Sequence, residues 1–263
     1  MAQESNKNFA IPLAFVGLMF FTLGFALGIN SFLIPVLKES LNLSSGVAYL
    51  LLAATFIPFI IFGYPASRTI AAIGYKRTMA ISFVIFALAF VVFVLSAKNE
   101  SFILFLAASF VSGTANAYLQ ASVNPYITIL GPIDSAARRI SMMGICNKLA
   151  WPVAPLFFAA VVPDSTNVQI ADLYLPFYII IGVFVLLSII SLVAPLPEVK
   201  ATGEDESSAD DCPYAASKTS IWQFPHLLLG VLALFVYVGV ETLALSTAID
   251  YATAVGLPSP DRY

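Results

Sequence analysis

The chain has 263 residues, of which 60% are hydrophobic and only 10% are charged, and its mean hydropathy is +0.92. Soluble domains contain about one quarter charged residues, so this composition excludes an ordinary soluble domain and predicts a polytopic membrane protein. The net charge of -3 predicts no nucleic-acid surface, and the spacing of Cys146 and Cys212 fits neither a disulfide framework nor a metal site.

Several apolar runs are long enough to cross a bilayer, which takes about 20 residues. There are seven, at about 10–36, 46–66, 76–97, 102–130, 139–163, 173–195 and 224–250. The first is too long for a signal-peptide core and predicts a retained span. The sequence therefore predicts an all-α membrane protein with a six-helix bundle (1–195), a polar linker (196–221) and one further span (222–263).

The first span carries two glycines and a pair of polar residues. Gly24 and Gly28 are four residues apart, which predicts close packing against another helix. Asn30 and Ser31 follow in the outer third of the span. Polar side chains in lipid are costly and usually face a bundle interior or a wet cavity. Asn30 is therefore either a hydrogen bond between helices or a ligand contact, and both interpretations stay open.

Basic residues are concentrated in two predicted turns. Arg68, Lys76 and Arg77 lie between spans two and three, and Arg138 and Arg139 lie between spans four and five. The loop between spans five and six has no Lys or Arg. Because positively charged loops stay in the cytoplasm, we expect a multi-pass protein of the inner (plasma) membrane with its N-terminus and linker in the cytoplasm.

The fourth span has a polar residue at every fourth position. The series is Ser112, Asn116, Gln120, Asn124 and Thr128. Four residues advance a helix by about 400°, so the three amides form a stripe roughly 80° wide. Such a stripe could line a cavity that hydrogen-bonds a polyhydroxylated solute, or it could join neighbouring helices. Pro125 lacks an N–H group and frees a backbone carbonyl one turn earlier.

Ionisable residues lie deep in the fifth and seventh spans. Lys148 follows Asn147 in the fifth span, where a central lysine costs about 2.5–3.5 kcal/mol on insertion scales. Glu241 lies at a similar depth in the seventh span, and His226 at its start is expected to be an interfacial residue. Lys148 and Glu241 predict either a central ionisable site or a structural ion pair that fixes helix register.

Sequence motifs of enzymes are absent: we find no nucleotide-binding loop, metal-ligand spacing or nucleophile elbow. We therefore expect no enzyme activity, no cofactor and no metal. One alternative is a seven-helix receptor or photoreceptor with Lys148 as the chromophore lysine. The long linker and the basic turn between spans two and three argue against it.

The stretch NPYITILGP, residues 124–132, resembles the fourth helix of the fucose–proton symporter family of the major facilitator superfamily, including its glucose/galactose permease branch. GFALGINSFLIP is similar to the first helix of that family, and GYPASRTIAAIGYKR is similar to the superfamily's turn between helices two and three. The resemblance implies a cytoplasmic gate at Gly63, Arg68, Gly74, Lys76, Arg77 and Arg139.

The same resemblance implies a transporter of two six-helix bundles, of which this chain would hold the first bundle and the first helix of the second, as a C-terminally truncated form. It implies alternating access for a neutral hexose, with a proton or sodium as coupling ion and the lipid bilayer as surroundings. The expected sugar contacts are Asn30, Ser31, Asn116, Gln120, Asn124 and Asn147. An inactive half-transporter is the remaining alternative.

Three positions depart from the family pattern. Ser31 and Gln120 stand where the fucose symporter has an aspartate and a glutamate, and Ser67 replaces the acidic residue of the turn between helices two and three. Fucose–proton coupling is therefore not carried over directly. Glucose or galactose becomes the expected sugar, and Lys148 and Glu241 become the candidates for ion coupling.

Overall fold

The computed structural model describes residues 10–131, 133–162, 168–194, 196 and 220–255, and all regular structure within these ranges is helical. The long helices are α1 (Ala10–Ser40), α2 (Leu50–Ile73), α3 (Tyr75–Lys98), α4 (Phe102–Ile129), α5 (Ala136–Val161), α6 (Tyr174–Val193) and α7 (Pro225–Ala254). Short helical segments precede four of them, at Ser45–Ala48, Ile133–Ser135, Ile170–Leu173 and Ile221–Gln223. In the described ranges seven helices are long and apolar enough to cross a membrane, which confirms the predicted all-α class.

The junction between α2 and α3 is shorter than the sequence suggested. We expected Arg68 in a turn, but α2 continues through Pro65 to Ile73, so Arg68 lies in its final turns. Proline is tolerated inside membrane helices because neighbouring groups replace the lost hydrogen bond. Gly74 alone separates the two helices, with a φ of 83° that favours glycine, and its N–H donates to the carbonyl of Ile70 at 2.8 Å.

The chain divides into two compact units, Met1–Val199 and Lys200–Tyr263. The first unit contains α1 to α6 and the second contains α7. Most of the predicted linker, 196–221, lies outside the described residues, as do Cys212 and the C-terminal residues 256–263.

Within the first unit the helices pack mainly in pairs, and α4 lies at the centre. It packs against both α2 and α3, and it also contacts α1 and α5. The remaining large contacts join α1 to α5 and α3 to α6, where Phe86 and Phe184 stack with ring centroids 4.8 Å apart. Helix α4 therefore touches four other helices, and the part of its polar stripe at Ser112 and Asn116 is buried within the bundle.

The contact between α1 and α5 depends on two glycines. A Cβ atom at Gly28 would lie 2.8 Å from the carbonyl oxygen of Trp151, and a Cβ at Gly24 would overlap the carbonyl of Asn147. Real Cβ atoms do not approach a backbone oxygen so closely, so only glycine allows the two backbones to meet here. The predicted packing role of Gly24 and Gly28 is confirmed.

Candidate functional site

The polar stripe of α4 changes along the helix from fully buried side chains to exposed ones. Ser112 and Asn116 are fully buried, Gln120 is half-buried, and Asn124 is exposed together with the neighbouring Pro125. These residues share one face of a continuous helix, since α4 runs through Pro125 without ending. The stripe therefore offers hydrogen-bonding groups at graded depth, from accessible amides to wholly buried ones.

The amide of Asn116 is buried without a hydrogen-bond partner. Among the described residues, neither its Nδ2 nor its Oδ1 atom has a partner, and the same holds for Ser112 Oγ one turn earlier. An unsatisfied buried polar group costs about 1–3 kcal/mol, so such groups usually bind an ordered water or a ligand. The sequence left two interpretations of the stripe, a cavity lining and hydrogen bonds between helices. Among the described residues, Asn116 makes no hydrogen bond between helices.

Asn30 is engaged in helix packing. It is 1% exposed, its Nδ2 donates to the carbonyl of Ala26 at 3.2 Å, and its Oδ1 accepts from Ser109 Oγ at 3.1 Å. Of the two interpretations of Asn30, the structure therefore favours the hydrogen bond between helices, which joins α1 to α4. The polar stripe predicted from the sequence does not include Ser109. Its position two turns before Asn116, on the same face of α4, would have indicated it. Ser31 next to Asn30 has a buried Oγ with no partner among the described residues.

Asn147 and Lys148 lie where α5 crosses α1. The Nδ2 of Asn147 donates to the carbonyl of Phe20 at 3.1 Å, and the side chain is half-buried. Lys148 is exposed, and its Nζ lies 5.7 Å from the ring centroid of Trp151, within cation–π range. The indole Nε1 of Trp151 is buried without a partner in the described part of the chain. Trp151 therefore belongs to this polar region.

In the second unit, the structure describes Glu241 in α7. Its Oε1 accepts a hydrogen bond from the hydroxyl of Tyr237 at 2.9 Å, one turn earlier on the same helix face. His226 at the start of α7 is exposed and packs edge-on against Phe224. The pairing of Glu241 with Lys148 stays a prediction.

Arg139 fixes the end of α4. It is 8% exposed, and its guanidinium donates to the carbonyls of Ile127 at 3.1 Å and Thr128 at 3.0 Å and to the hydroxyl of Ser135. The last carbonyls of a helix lack helical donors, so Arg139 caps α4 and ties it to α5. We expected Arg138 and Arg139 in a turn, but α5 already begins at Ala136, so both arginines lie in its first turn.

The other residues of the expected cytoplasmic gate lie near the junction of α2 and α3, except Gly63, which lies in the middle of α2. Gly63, Arg68 and Arg77 are exposed, Lys76 is half-buried, and Gly74 forms the turn. A Cβ built at Gly63 meets no described atom within 4 Å, so no neighbour within the described chain requires glycine there. A gating role for these residues stays a prediction.

An apolar pocket of about 230 Å³ lies among α1, α5 and α6, away from the α4 stripe. Its walls are Phe, Leu, Ile and Val side chains, with Thr22 as the polar exception. Such walls offer almost no hydrogen bonds to a sugar. Within the described ranges, no cluster of three or more His, Cys, Asp or Glu side chains could hold a metal ion.

Known proteins resemble this chain along nearly its whole length. The model of the Major Facilitator Superfamily matches residues 16–259. A glucose/galactose transporter of Brucella abortus is 32% identical over 98% of this chain and 63% of its own length. The L-fucose-proton symporter of Escherichia coli is 23% identical over 94% of this chain and 60% of its own length. The chain thus spans less than two thirds of the length of these relatives.

A solved structure has the same helical arrangement. The crystal structure of the E. coli fucose:proton symporter aligns with a TM-score of 0.70 at 21% identity, covering 94% of this chain and 63% of the symporter. Identity at this level establishes the fold alone, and the matched relatives are transporters rather than enzymes. The resemblance inferred from NPYITILGP is confirmed, and the chain is an integral membrane protein that belongs to the major facilitator superfamily.

Proposed function

We propose that the protein is a secondary transporter of a neutral hexose, which works by alternating access between two helical bundles, the first of them formed by α1 to α6. The graded amide stripe of α4 carries this proposal. Amides donate and accept hydrogen bonds, as sugar hydroxyls do, and a stripe that runs from exposed Asn124 to buried Asn116 could hold several hydroxyls at once. The relatives named as sugar transporters support it, and they favour transport over a receptor or photoreceptor.

The proposed sugar is glucose or galactose rather than fucose. Ser31 and Gln120 cannot ionise in any useful range, so the site lacks the two carboxylates that the family resemblance associates with the fucose symporter. The first-named relative is a glucose/galactose transporter, which agrees with this choice. The proposed sugar site comprises Ser31, Asn116, Gln120, Asn124 and Asn147. Asn30, also expected there, instead supports the site by joining α1 to α4.

We further propose that uptake is coupled to a proton or a sodium ion through Glu241, with Lys148 as its counter-ion. Glu241 is an acidic residue in the interior of the seventh predicted span, and Lys148 is a basic residue at a similar depth in the fifth. Intramembrane ionisable residues commonly form ion pathways, and a carboxylate can bind either ion. A purely structural ion pair with facilitated diffusion is the competing possibility.

Removal of a stripe amide should weaken sugar uptake. Asn124→Ala is expected to raise the KM for galactose by about fivefold to tenfold, since one hydrogen bond to a neutral partner contributes about 1 kcal/mol. Initial uptake rates in vesicles that contain the complete protein measure this. Asn124 is exposed, so its loss should leave the bundle intact, whereas Asn147→Ala also removes the hydrogen bond to Phe20.

Asn99→Ala is the matched control, because the Asn99 amide is exposed and bonds only the carbonyl of Leu95 among the described contacts. It should leave the KM unchanged. If Asn124→Ala and Asn147→Ala both transport galactose with the native KM, the stripe does not contact the sugar and the substrate proposal fails.

The proposed location is the inner (plasma) membrane, with the N-terminus and the α2–α3 and α4–α5 turns in the cytoplasm. In a background without Cys146 and Cys212, a cysteine at exposed Ser44 should react with an impermeant maleimide in intact cells. A cysteine at exposed Ala72 should react only after the membrane is opened. Both follow from the basic residues near Gly74. The reverse labelling pattern would contradict the proposed orientation and place the N-terminus outside the cell.

A further inference from the structure

The buried end of the α4 stripe holds two side chains with no hydrogen-bond partner in the part of the chain that the structure describes. Asn116 and Ser112 are each 0% exposed, and their polar atoms have no partner among the described residues. We propose that Asn116, together with Ser112, binds the primary hydroxyl of the sugar's exocyclic hydroxymethyl group and thereby selects hexoses over 6-deoxyhexoses. This inference rests on the proposed hexose transport and names the feature of the sugar that this end of the site recognises.

The atoms without partners include both donors and acceptors, which suits a hydroxyl group. A hydroxyl offers one donor and two acceptor positions. It can donate to Asn116 Oδ1 while it accepts from Ser112 Oγ–H or from Asn116 Nδ2–H. A metal cation would fit poorly, because α4 contains no carboxylate and a cation would leave the Nδ2 donor unpaired. An anion would leave Oδ1 unpaired, so a neutral hydroxyl is the best complement.

Depth along the helix explains why the hydroxyl should be the exocyclic one. Asn116 lies one turn, about 5.4 Å, beyond half-buried Gln120 and two turns beyond exposed Asn124. A pyranose ring bound at Gln120 and Asn124 presents its secondary hydroxyls directly at the ring edge. Only the hydroxymethyl oxygen extends from the ring by an additional carbon and a rotatable bond. It is therefore the group that can extend furthest toward Asn116 from a ring held at Gln120 and Asn124.

The preference for a hexose over its 6-deoxy analogue follows from the free energy that a buried amide without a hydrogen-bond partner costs. A 6-deoxy sugar has a methyl group at this position, so it would leave Asn116 and Ser112 unsatisfied in the bound state. Sites built to hydrogen-bond a substrate hydroxyl reject analogues that lack it far more strongly than apolar pockets discriminate by size. We expect kcat/KM for galactose to exceed that for 6-deoxygalactose by about tenfold or more.

The test compares these two sugars in proteoliposomes that contain the complete protein, as wild type and as Asn116→Leu. Leucine keeps the branched heavy-atom skeleton of asparagine but removes both polar atoms. The variant should lose the preference, with kcat/KM for galactose reduced by about tenfold and that for 6-deoxygalactose changed by less than about twofold. Ser112→Ala should reduce the preference in part. The matched control, Asn99→Leu at an exposed site, should retain the native preference.

Two results would overturn the inference while leaving hexose transport standing. One is a wild type that carries both sugars equally well. The other is an Asn116→Leu variant that keeps the native preference, in which case Asn116 does not contact the sugar. Competition by 6-deoxyglucose against glucose in the wild type gives a second measurement if a variant fails to fold. A wild type that carries no hexose would overturn the transport proposal and this inference together.

Discussion

Gly24→Val is expected to lower the midpoint of thermal unfolding by roughly 10 °C, or to prevent insertion of a folded protein. The added side chain would overlap the carbonyl of Asn147, which is backbone and cannot rotate away. The α1–α5 contact would have to open, and the hydrogen bond from Asn147 to Phe20 would be lost with it. Overpacking at such a site costs about 3 kcal/mol or more, which gives the expected shift in midpoint.

The matched control for this change is Gly182→Val, because a Cβ at Gly182 meets no described atom within 4 Å. It should shift the midpoint by no more than about 2 °C, since Gly-to-Val substitution in an open helix position is nearly neutral. Thermal unfolding in detergent, followed by size-exclusion chromatography of the fluorescently tagged protein, measures both variants. Equal midpoints for Gly24→Val and Gly182→Val would mean that α1 and α5 do not meet at Gly24.

Glu241→Gln is expected to abolish concentrative sugar uptake while sugar exchange continues. The substitution preserves the shape of the side chain and its acceptor for the Tyr237 hydroxyl, but it removes the group that can bind a proton or a sodium ion. Coupling requires this ion, whereas exchange of sugar across the membrane does not. Accumulation in vesicles with an imposed proton or sodium gradient, and exchange in preloaded vesicles, measure the two activities separately.

Glu100→Gln provides the comparison, because Glu100 is exposed in the turn between α3 and α4. It should retain both accumulation and exchange. Native accumulation by the Glu241→Gln variant would exclude Glu241 as the coupling residue. A wild type that exchanges its sugar but never concentrates it would point to facilitated diffusion, with Lys148 and Glu241 in a structural role.

The most exposed and the most buried amides of the stripe should respond differently to substitution. Asn124 offers one accessible hydrogen bond, so its loss should weaken every hexose alike. Asn116 is buried and has no hydrogen-bond partner among the described residues, so its replacement by leucine should alter the choice between sugars. This contrast separates general affinity from selectivity along one helix face.

The seven spans, the helical class and the superfamily could be predicted from the sequence, because a membrane helix satisfies its backbone internally and must be long and apolar. The α4 amide stripe was also predictable, since helical periodicity alone places Asn116, Gln120 and Asn124 on one face. The glycine pair in α1 predicted close packing for the same local reason. Each of these properties depends on one segment at a time.

Tertiary structure decided what each polar group does, because that depends on which helix lies opposite. Asn30 and Asn116 are both amides within apolar spans, yet Asn30 finds Ser109 on a neighbouring helix, whereas Asn116 has no partner among the described residues. The hydrogen bonds from the Arg139 guanidinium to the last carbonyls of α4 likewise depend on how α4 and α5 pack, whereas its expected gating role stays a prediction. The period of a helix determines which side chains share a face, and only the packing of helices determines whether that face meets a carbonyl, a hydroxyl or apolar side chains.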